Sequence, residues 1–295
     1  MSTVDTSIQP SPTGAAAAYA AAHAHADPGA LTLYGGWFCP FVQRVWITLH
    51  EKSAPHRYVE INPYKKDREL LDLNPRGLVP TLRIPAGEEG GGSGGARALY
   101  ESLVVCEYLE EAFPGGGEEE EGRGGPIALL PRDTYERARC RLWIDHVATR
   151  IVPAFYKLLQ HTPEKPYTLD SARADLVSHI RTLALEMDPG GRGPWFLGDA
   201  FSLVDVALAP WAKRLFLIDH YKDGGAGIPD PEGLEGEDAR VWRRWRTWFD
   251  AVGERPSVRD TWSDEEEYVK VYRRYADDTT QSLVGKATRE GGRLP

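Results

Sequence analysis

Gly35-Gly36-Trp37-Phe38-Cys39-Pro40-Phe41-Val42-Gln43-Arg44 is the stretch from which the fold can be worked out. Ahead of it, Leu31–Tyr34 reads as a strand. Behind it, Val42, Val45, Trp46 and Leu49 recur at i, i+3, i+4 and i+7, which lays one apolar face along a helix. Between strand and helix stand Cys39 and Pro40. Proline suits the first turn of a helix, where its missing N–H would have found no partner. Cys39 therefore falls at or near an N-cap. There the N–H groups of the following residues point at its sulfur, and the helix dipole adds positive potential. Both favour thiolate over thiol, the state a nucleophilic cysteine needs. A buried structural cysteine is the competing reading, and the strand-to-helix corner before proline weighs against it.

A two-cysteine redox motif would carry its second thiol at position 42, which is Val42. Cys39 thus has no local resolving thiol. If it forms a mixed disulfide, an outside thiol must release it, and glutathione is the obvious cellular one.

Working outward, Pro40 to about Lys52 is predicted as the first helix and Arg57–Ile61 as the second strand. Tyr64–Leu73 reads as a short polar helix or loop. Asn74-Pro75-Arg76-Gly77 is a turn. Leu78–Ile84 is a third strand, with Pro80 marking it as an edge or a special turn. Ala86–Ala98 is a Gly/Glu-rich loop and Leu99–Glu101 a fourth strand. Ser102 is a good N-cap for a helix to about Ala112. This β-α-β then β-β-α order predicts a small mixed sheet with helices on it. Residues 1–29, rich in Ala and Pro, read as a mobile tail. His23 and His25 within it lack a third ligand, and no metal is expected. Residues 30–114 form the first domain, and 115–131 read as a Gly/Glu linker. Residues 132–295 read as all-helical. Asp133 and Ser202 begin capping patterns, and Val241, Trp242, Trp245, Trp248 and Val252 form an apolar stripe. Past Gln281 no pattern is evident. Cys106 and Cys140 fall mid-helix and read as packing residues.

Composition bounds the partners. Hydrophobic residues make up 41% of the 295 and support a real core, while a net charge of -9 argues against nucleic acid or an anionic membrane. Three cysteines give no disulfide framework, which fits a reducing compartment. No apolar run approaches the about 20 residues of a membrane span. The first basic residue is Arg44, so no secretory or transit signal is expected, and the cytoplasm is the predicted location.

Phe38-Cys39-Pro40-Phe41-x-Gln43-Arg44, then Asn74-Pro75-x-Gly77-Leu78-Val79-Pro80-Thr81, then Tyr100-Glu101-Ser102, resemble in order three N-terminal motifs of the omega-class glutathione transferases. Gly198–Asp205 resembles the capping motif of that family's helical domain. The resemblance covers about residues 31–276. It implies an α+β fold: a thioredoxin-like domain with a mixed four-stranded sheet, followed by an all-α helical-bundle domain, usually as a homodimer. It further implies Cys39 as the catalytic cysteine. Glutathione, a co-substrate, would be held by Phe41, Lys66, Val79, a cis Pro80, Glu101 and Ser102. Elementary chemistry agrees for three of these: a helix N-terminus at Ser102 suits a carboxylate, Glu101 an ammonium and Lys66 the glycyl carboxylate. Plain surface or capping roles compete at all three. Trp211, Arg214 and Tyr268 match the lining of an electrophile pocket expected between the domains, with Trp143 and His146 as possible neighbours. Aromatic residues at helical spacing are more often core. Trp37 is expected to narrow the cleft.

The resulting expectation is glutathione-dependent thiol transfer, deglutathionylation or dehydroascorbate reduction through Cys39, on a small aromatic or disulfide-type electrophile. A non-catalytic binder of aromatic compounds is the rival class. Reduction of S-glutathionyl hydroquinone or phenacyl adducts is a second enzymatic alternative.

Overall fold

In the computed structural model, residues 8–25, 30–85, 97–115, 127–187 and 190–294 are described. The Gly/Glu loop after residue 85 and most of the linker after residue 115 lie outside them. The chain divides into two compact units. Unit 1 is Met1–Ala128 with Pro256–Glu267, and unit 2 is Leu129–Arg255 with Tyr268–Pro295.

Unit 1 runs α1 (Gly14–Ala22), β1 (Leu31–Gly35), α2 (Pro40–Glu51), β2 (His56–Glu60), α3 (Arg68–Leu73), β3 (Thr81–Ile84), β4 (Arg97–Tyr100) and α4 (Ser102–Ala112). The sheet order is β2-β1-β3-β4. β1 pairs parallel with β2, from Leu31 opposite His56 to Gly35 opposite Glu60, and antiparallel with β3. β3 pairs antiparallel with β4. A crossover helix followed by a hairpin gives this mixed sheet, the thioredoxin-like arrangement that the resemblance implied.

The predicted face of α2 is fully inside: Val42, Val45, Trp46 and Leu49 are all 0% exposed. Each such side chain contributes roughly 1.5–3 kcal/mol of burial. The other side of α2 is buried too, and several of its polar groups find partners. Gln43 Nε2 donates to the Thr261 carbonyl at 3.3 Å. Thr48 Oγ1 donates to Cys106 Sγ on α4 at 3.2 Å. Lys52 pairs with Glu110 of α4 and donates to the Ile127 carbonyl at 2.7 Å. The partners at 256–263 include α11 (Pro256–Arg259), which lies some two hundred residues along the chain but in the same unit.

The tail expectation does not hold for residues 8–25, which are packed. Ala16 is 0% exposed and its N–H donates to the Trp262 carbonyl at 3.1 Å. The Tyr58 N–H on β2 donates to the His23 carbonyl at 2.9 Å. The physical reason is Tyr19, a large ring in an alanine run. It stacks on His23 at 4.2 Å and His50 at 5.3 Å and meets Trp46 edge-on at 5.8 Å.

Unit 2 holds α5 (Thr134–His146), a π-helical turn (Val147–Ile151), α6 (Val152–Leu159), α7 (Leu169–Glu186), α8 (Leu203–Ala212), α9 (Leu215–Tyr221), α10 (Gly236–Glu254), most of α12 (Glu265–Ala276) and α13 (Leu283–Glu290). Asp205 is the polar centre of its core. Its two oxygens accept from Phe196 N at 2.9 Å, Trp248 Nε1 at 2.7 Å, and both the N–H and hydroxyl of Ser202 at 2.8 and 2.7 Å. Burial alone would make this carboxyl costly, and the four donors offset it. The predicted helix through Phe216 is in fact two, since α8 carries Pro210 near its end and the chain restarts as α9. Helix α13, absent from the sequence expectation, is capped at its start by Ser282 and ended by Gly291 at φ 66.

Candidate active site

Strand β1 ends on Gly35, where a Cβ would fall 2.4 Å from Val42 Cγ1, so only glycine lets β1 and α2 meet this closely. The chain turns with the Cys39 N–H donating to the Gly36 carbonyl at 2.9 Å. Cys39 is the N-cap of α2 in extended backbone, φ -78 and ψ 119, with Pro40 in the first turn. It is partly exposed and unbridged. The other two cysteines are 0% exposed. Burial pushes the Cys106 thiol up to about 11 and the Cys140 thiol to about 12, leaving both inert at neutral pH.

The turn before Cys39 rests on side chains that sequence reasoning missed. The Trp37 N–H donates to Glu60 Oε1 at 3.0 Å, and the Tyr58 hydroxyl donates to Glu60 Oε2 at 2.6 Å. Burial pushes the Glu60 carboxyl up to about 8, with these two hydrogen bonds pulling the other way. The Trp37 ring does not narrow any cleft. It is 1% exposed, and its Nε1 donates to the Gln9 carbonyl at 2.9 Å.

Val79–Pro80 is a cis peptide bond, as the motif implied. Val79 packs on the cluster of Tyr34, Ile61 and Leu70, and Pro80 is buried. The loop before it is held by Asn74, itself 0% exposed. Asn74 Oδ1 accepts from the Arg76 N–H at 3.1 Å, while Nδ2 donates to the Leu78 carbonyl at 3.2 Å and Thr81 Oγ1 at 3.0 Å. Gly77 sits at φ 58, where a Cβ would strike the Lys66 side chain.

This loop gathers charge. Lys66 Nζ donates to the Arg76 carbonyl at 2.9 Å, and Arg76 Nη1 meets Glu101 Oε1 at 2.5 Å. Glu101, not Ser102, is the N-cap of α4, with φ 71, a conformation a residue other than glycine holds only under constraint. Ser102 is the first residue of the helix, and its Oγ accepts from Arg44 Nη1 at 3.4 Å. The Arg44 guanidinium also lies 5.7 Å from the centre of the Phe41 ring. Arg44 therefore ties the Cys39 end of α2 to the start of α4. Phe41, Lys66, Glu101 and Ser102 are thus joined through two arginines, Arg44 and Arg76. Arg44 stood within a quoted motif without a role, and Arg76 held a variable position with no local signal.

In unit 2, Arg214 and Tyr268 do meet, the guanidinium lying 4.7 Å from the ring centre, and Arg214 Nη1 donates to the Pro210 carbonyl at 2.7 Å. Trp211, Arg214 and Tyr268 are 1%, 0% and 0% exposed, the values of packed interior side chains. The Trp143 and His146 rings meet tilted, 5.2 Å between centres, and His146 bonds to the His179 carbonyl. Among the described residues, no group of three His, Cys, Asp or Glu side chains is arranged to hold a metal ion.

With this geometry in hand, residues 38–112 match the family described as Glutathione S-transferase, N-terminal domain, and residues 135–251 match Glutathione S-transferase, C-terminal domain. The chain is similar to glutathione S-transferase omega-1 of Sus scrofa, 28% identical over 65% of this chain and 69% of that one. Among solved structures it resembles glutathione transferase Omega 3C from Trametes versicolor, with TM-score 0.71, 40% identity, 92% of this chain and 100% of that chain covered. It also resembles a rice glutathione transferase solved in complex with glutathione, with TM-score 0.63, 26% identity, 84% of this chain and 96% of that one covered.

Proposed function

Because the chain belongs to the glutathione S-transferase family, with omega-type relatives among those it resembles, we propose that it is a glutathione-dependent thiol transferase whose nucleophile is Cys39. The observation that carries this reading is the contrast among three thiols. Cys39 alone is partly exposed and caps a helix N-terminus, while Cys106 and Cys140 are enclosed.

The Cys39 thiolate attacks the glutathionyl sulfur of a mixed disulfide. The Cys39–glutathione S–S bond forms, the old S–S bond breaks, and the substrate leaves as a thiolate. A second glutathione then attacks the glutathionyl sulfur on Cys39. Oxidised glutathione leaves, Cys39 returns as thiolate, and the proton of the incoming thiol passes to the thiolate released earlier. Dehydroascorbate reduction uses the same return half. The glutathione peptide is proposed to lie on Phe41, Lys66, the cis Val79–Pro80 segment, Glu101 and Ser102. The second substrate is a small disulfide-type or aromatic electrophile. Trp211, Arg214 and Tyr268 are left out of the proposal because their side chains are enclosed. The cytoplasm and a homodimer complete the reading.

Cys39→Ser tests it. Serine is nearly isosteric, so fold and affinity for S-methylglutathione are retained. Thiol transfer falls to background, and mass spectrometry after incubation with oxidised glutathione shows one adduct on the wild-type protein, at Cys39, and none on the variant. Glutathione conjugation holds or rises. Thiol transfer surviving in the variant removes Cys39 as the nucleophile.

A further inference from the structure

Glutathione brings two carboxylates and one ammonium. The proposed peptide site, as read from its sequence motifs, offers Lys66 and Glu101 as its charged side chains, one cation and one anion, and so leaves one carboxylate to the Ser102 hydroxyl and a helix terminus alone. The structure adds a third charge. Arg76 Nη1 lies 2.5 Å from Glu101 Oε1, and the Arg76 carbonyl carries Lys66 Nζ at 2.9 Å.

Arg76 stands in this place by construction. Its backbone N–H is fixed by the enclosed Asn74, whose amide also holds Leu78 and Thr81 in the turn before Pro80. Its partner Glu101 is turned by a positive φ at the head of α4. Arg76 and Glu101 nevertheless remain 46% and 44% exposed at their side chains, open to an incoming ligand. An isolated ion pair this exposed adds little to stability. Its position against Ser102 and Lys66 gives it another use.

We propose that Arg76 is a specificity-determining residue that binds the α-carboxylate of the γ-glutamyl end of glutathione, an inference that rests on the glutathione reading of the site. An α-amino acid head group is a zwitterion. Set against Arg76 and Glu101 it closes an alternating array: carboxylate on guanidinium, ammonium on the Glu101 carboxylate, with the Arg76–Glu101 pair as the preformed side. The planar fork of arginine suits a carboxylate in two-point contact, which lysine cannot reproduce. The site's three exposed charged side chains, Lys66, Arg76 and Glu101, two positive and one negative, then match the peptide's two carboxylates and one ammonium, while Arg44 is enclosed behind Ser102. Arg76 thereby selects for thiols carrying a free α-amino acid head over thiols without one.

The test measures binding by calorimetry, using S-methylglutathione, its analogue with 4-aminobutanoyl in place of γ-glutamyl (no α-carboxylate), and S-methyl-γ-glutamylcysteine (no glycine). The proteins are the full chain, Arg76→Gln, Arg76→Lys, and Arg68→Gln as a control of equal charge change at a residue whose side chain is 94% exposed on α3. Arg76→Gln is expected to weaken S-methylglutathione about tenfold, Arg76→Lys less, and Arg68→Gln within about twofold. The decisive reading is the 4-aminobutanoyl analogue: wild type binds it about tenfold more weakly than S-methylglutathione, and Arg76→Gln barely distinguishes the two. Equal loss by Arg76→Gln on every ligand, or unchanged affinity for S-methylglutathione, overturns the proposal. A loss that disappears only for the ligand lacking glycine moves Arg76 to the other carboxylate and overturns the placement. If wild type binds none of the three, the glutathione reading itself falls, and the proposal with it.

Discussion

Strand β2 carries a titratable side chain at each end, the buried His56 and the half-buried Glu60, about 13 Å apart. Burial shifts both, and in opposite directions. His56, ringed by Tyr19, His23 and His50, is pushed down to about 4. Glu60, beneath the turn that leads to Cys39, is pushed up to about 8. One physical cause, the cost of a charge away from water, keeps both groups neutral at pH 7. The neighbours then separate them. Around His56, burial outweighs a hydrogen bond to the Ala54 carbonyl that pulls the other way, and the nearby imidazoles add to the downward shift. Around Glu60 the neighbours are donors, the Tyr58 hydroxyl and the Trp37 N–H, which favour the ionised form. His56, at the end that seats the N-terminal segment, therefore stays uncharged across the neutral range. The Glu60 end, which seats the Cys39 turn, ionises near its upper edge.

The largest effect that sharpens this contrast is expected from Glu60→Gln. A carboxyl whose folded pKa is raised stabilises the fold fully below about 4.5, and that contribution is lost as pH rises through about 8. The slope is about 1.4 kcal/mol per pH unit, up to about 5 kcal/mol in all. Denaturant unfolding from pH 5 to 9 should show this falling limb as the difference between wild type and Glu60→Gln. A flat difference would mean the carboxyl is ordinary.

His56→Phe acts on the other side of neutrality. A folded pKa of about 4 against 6.5 means stability is lost as pH falls through that window, by about 3 kcal/mol. The phenylalanine variant should lose that acid limb and leave the alkaline limb of Glu60 untouched. If a single substitution flattened both limbs, the two ends would not be independent and the comparison would break.

The smallest effect is Trp37→Phe, which removes the indole hydrogen bond to the Gln9 carbonyl and keeps the backbone bond to Glu60. We expect a cost of about 1 kcal/mol with no dependence on pH, read from thermal unfolding at pH 6 and pH 8. A cost that grows with pH would tie the Gln9 contact to the state of Glu60.

What could be read from the chain was what local chemistry dictates. The strand-to-helix corner at Cys39 and the caps at Asp133 and Ser202 depend on residues within a few positions of one another, while the cis Pro80 was implied by the resemblance of its motif. What escaped depends on distance or backbone. Tyr19 looked idle because its partners, Trp46 and His50, lie some thirty positions on. Arg76 held a variable position whose meaning comes from Glu101 on another element. The helix start at Glu101 rather than Ser102 follows from a positive φ that no side-chain pattern announces. Helix α13 is different: Ser282 and Gly291 were legible boundary signals around a short stretch whose only large apolar residues are Leu283 and Val284.

Unit 1 is assembled from two lengths of chain, and Gln43, His50 and Glu51 of α2 find partners at Thr261, Asp260 and Ser257. On the ribosome those partners come last. Residues 129–255 must be made first, which at about 5–20 residues per second takes on the order of 10 s. Through that interval α2 presents its polar side without the residues that complete it, and the first unit closes only once residues 256–261 have been made.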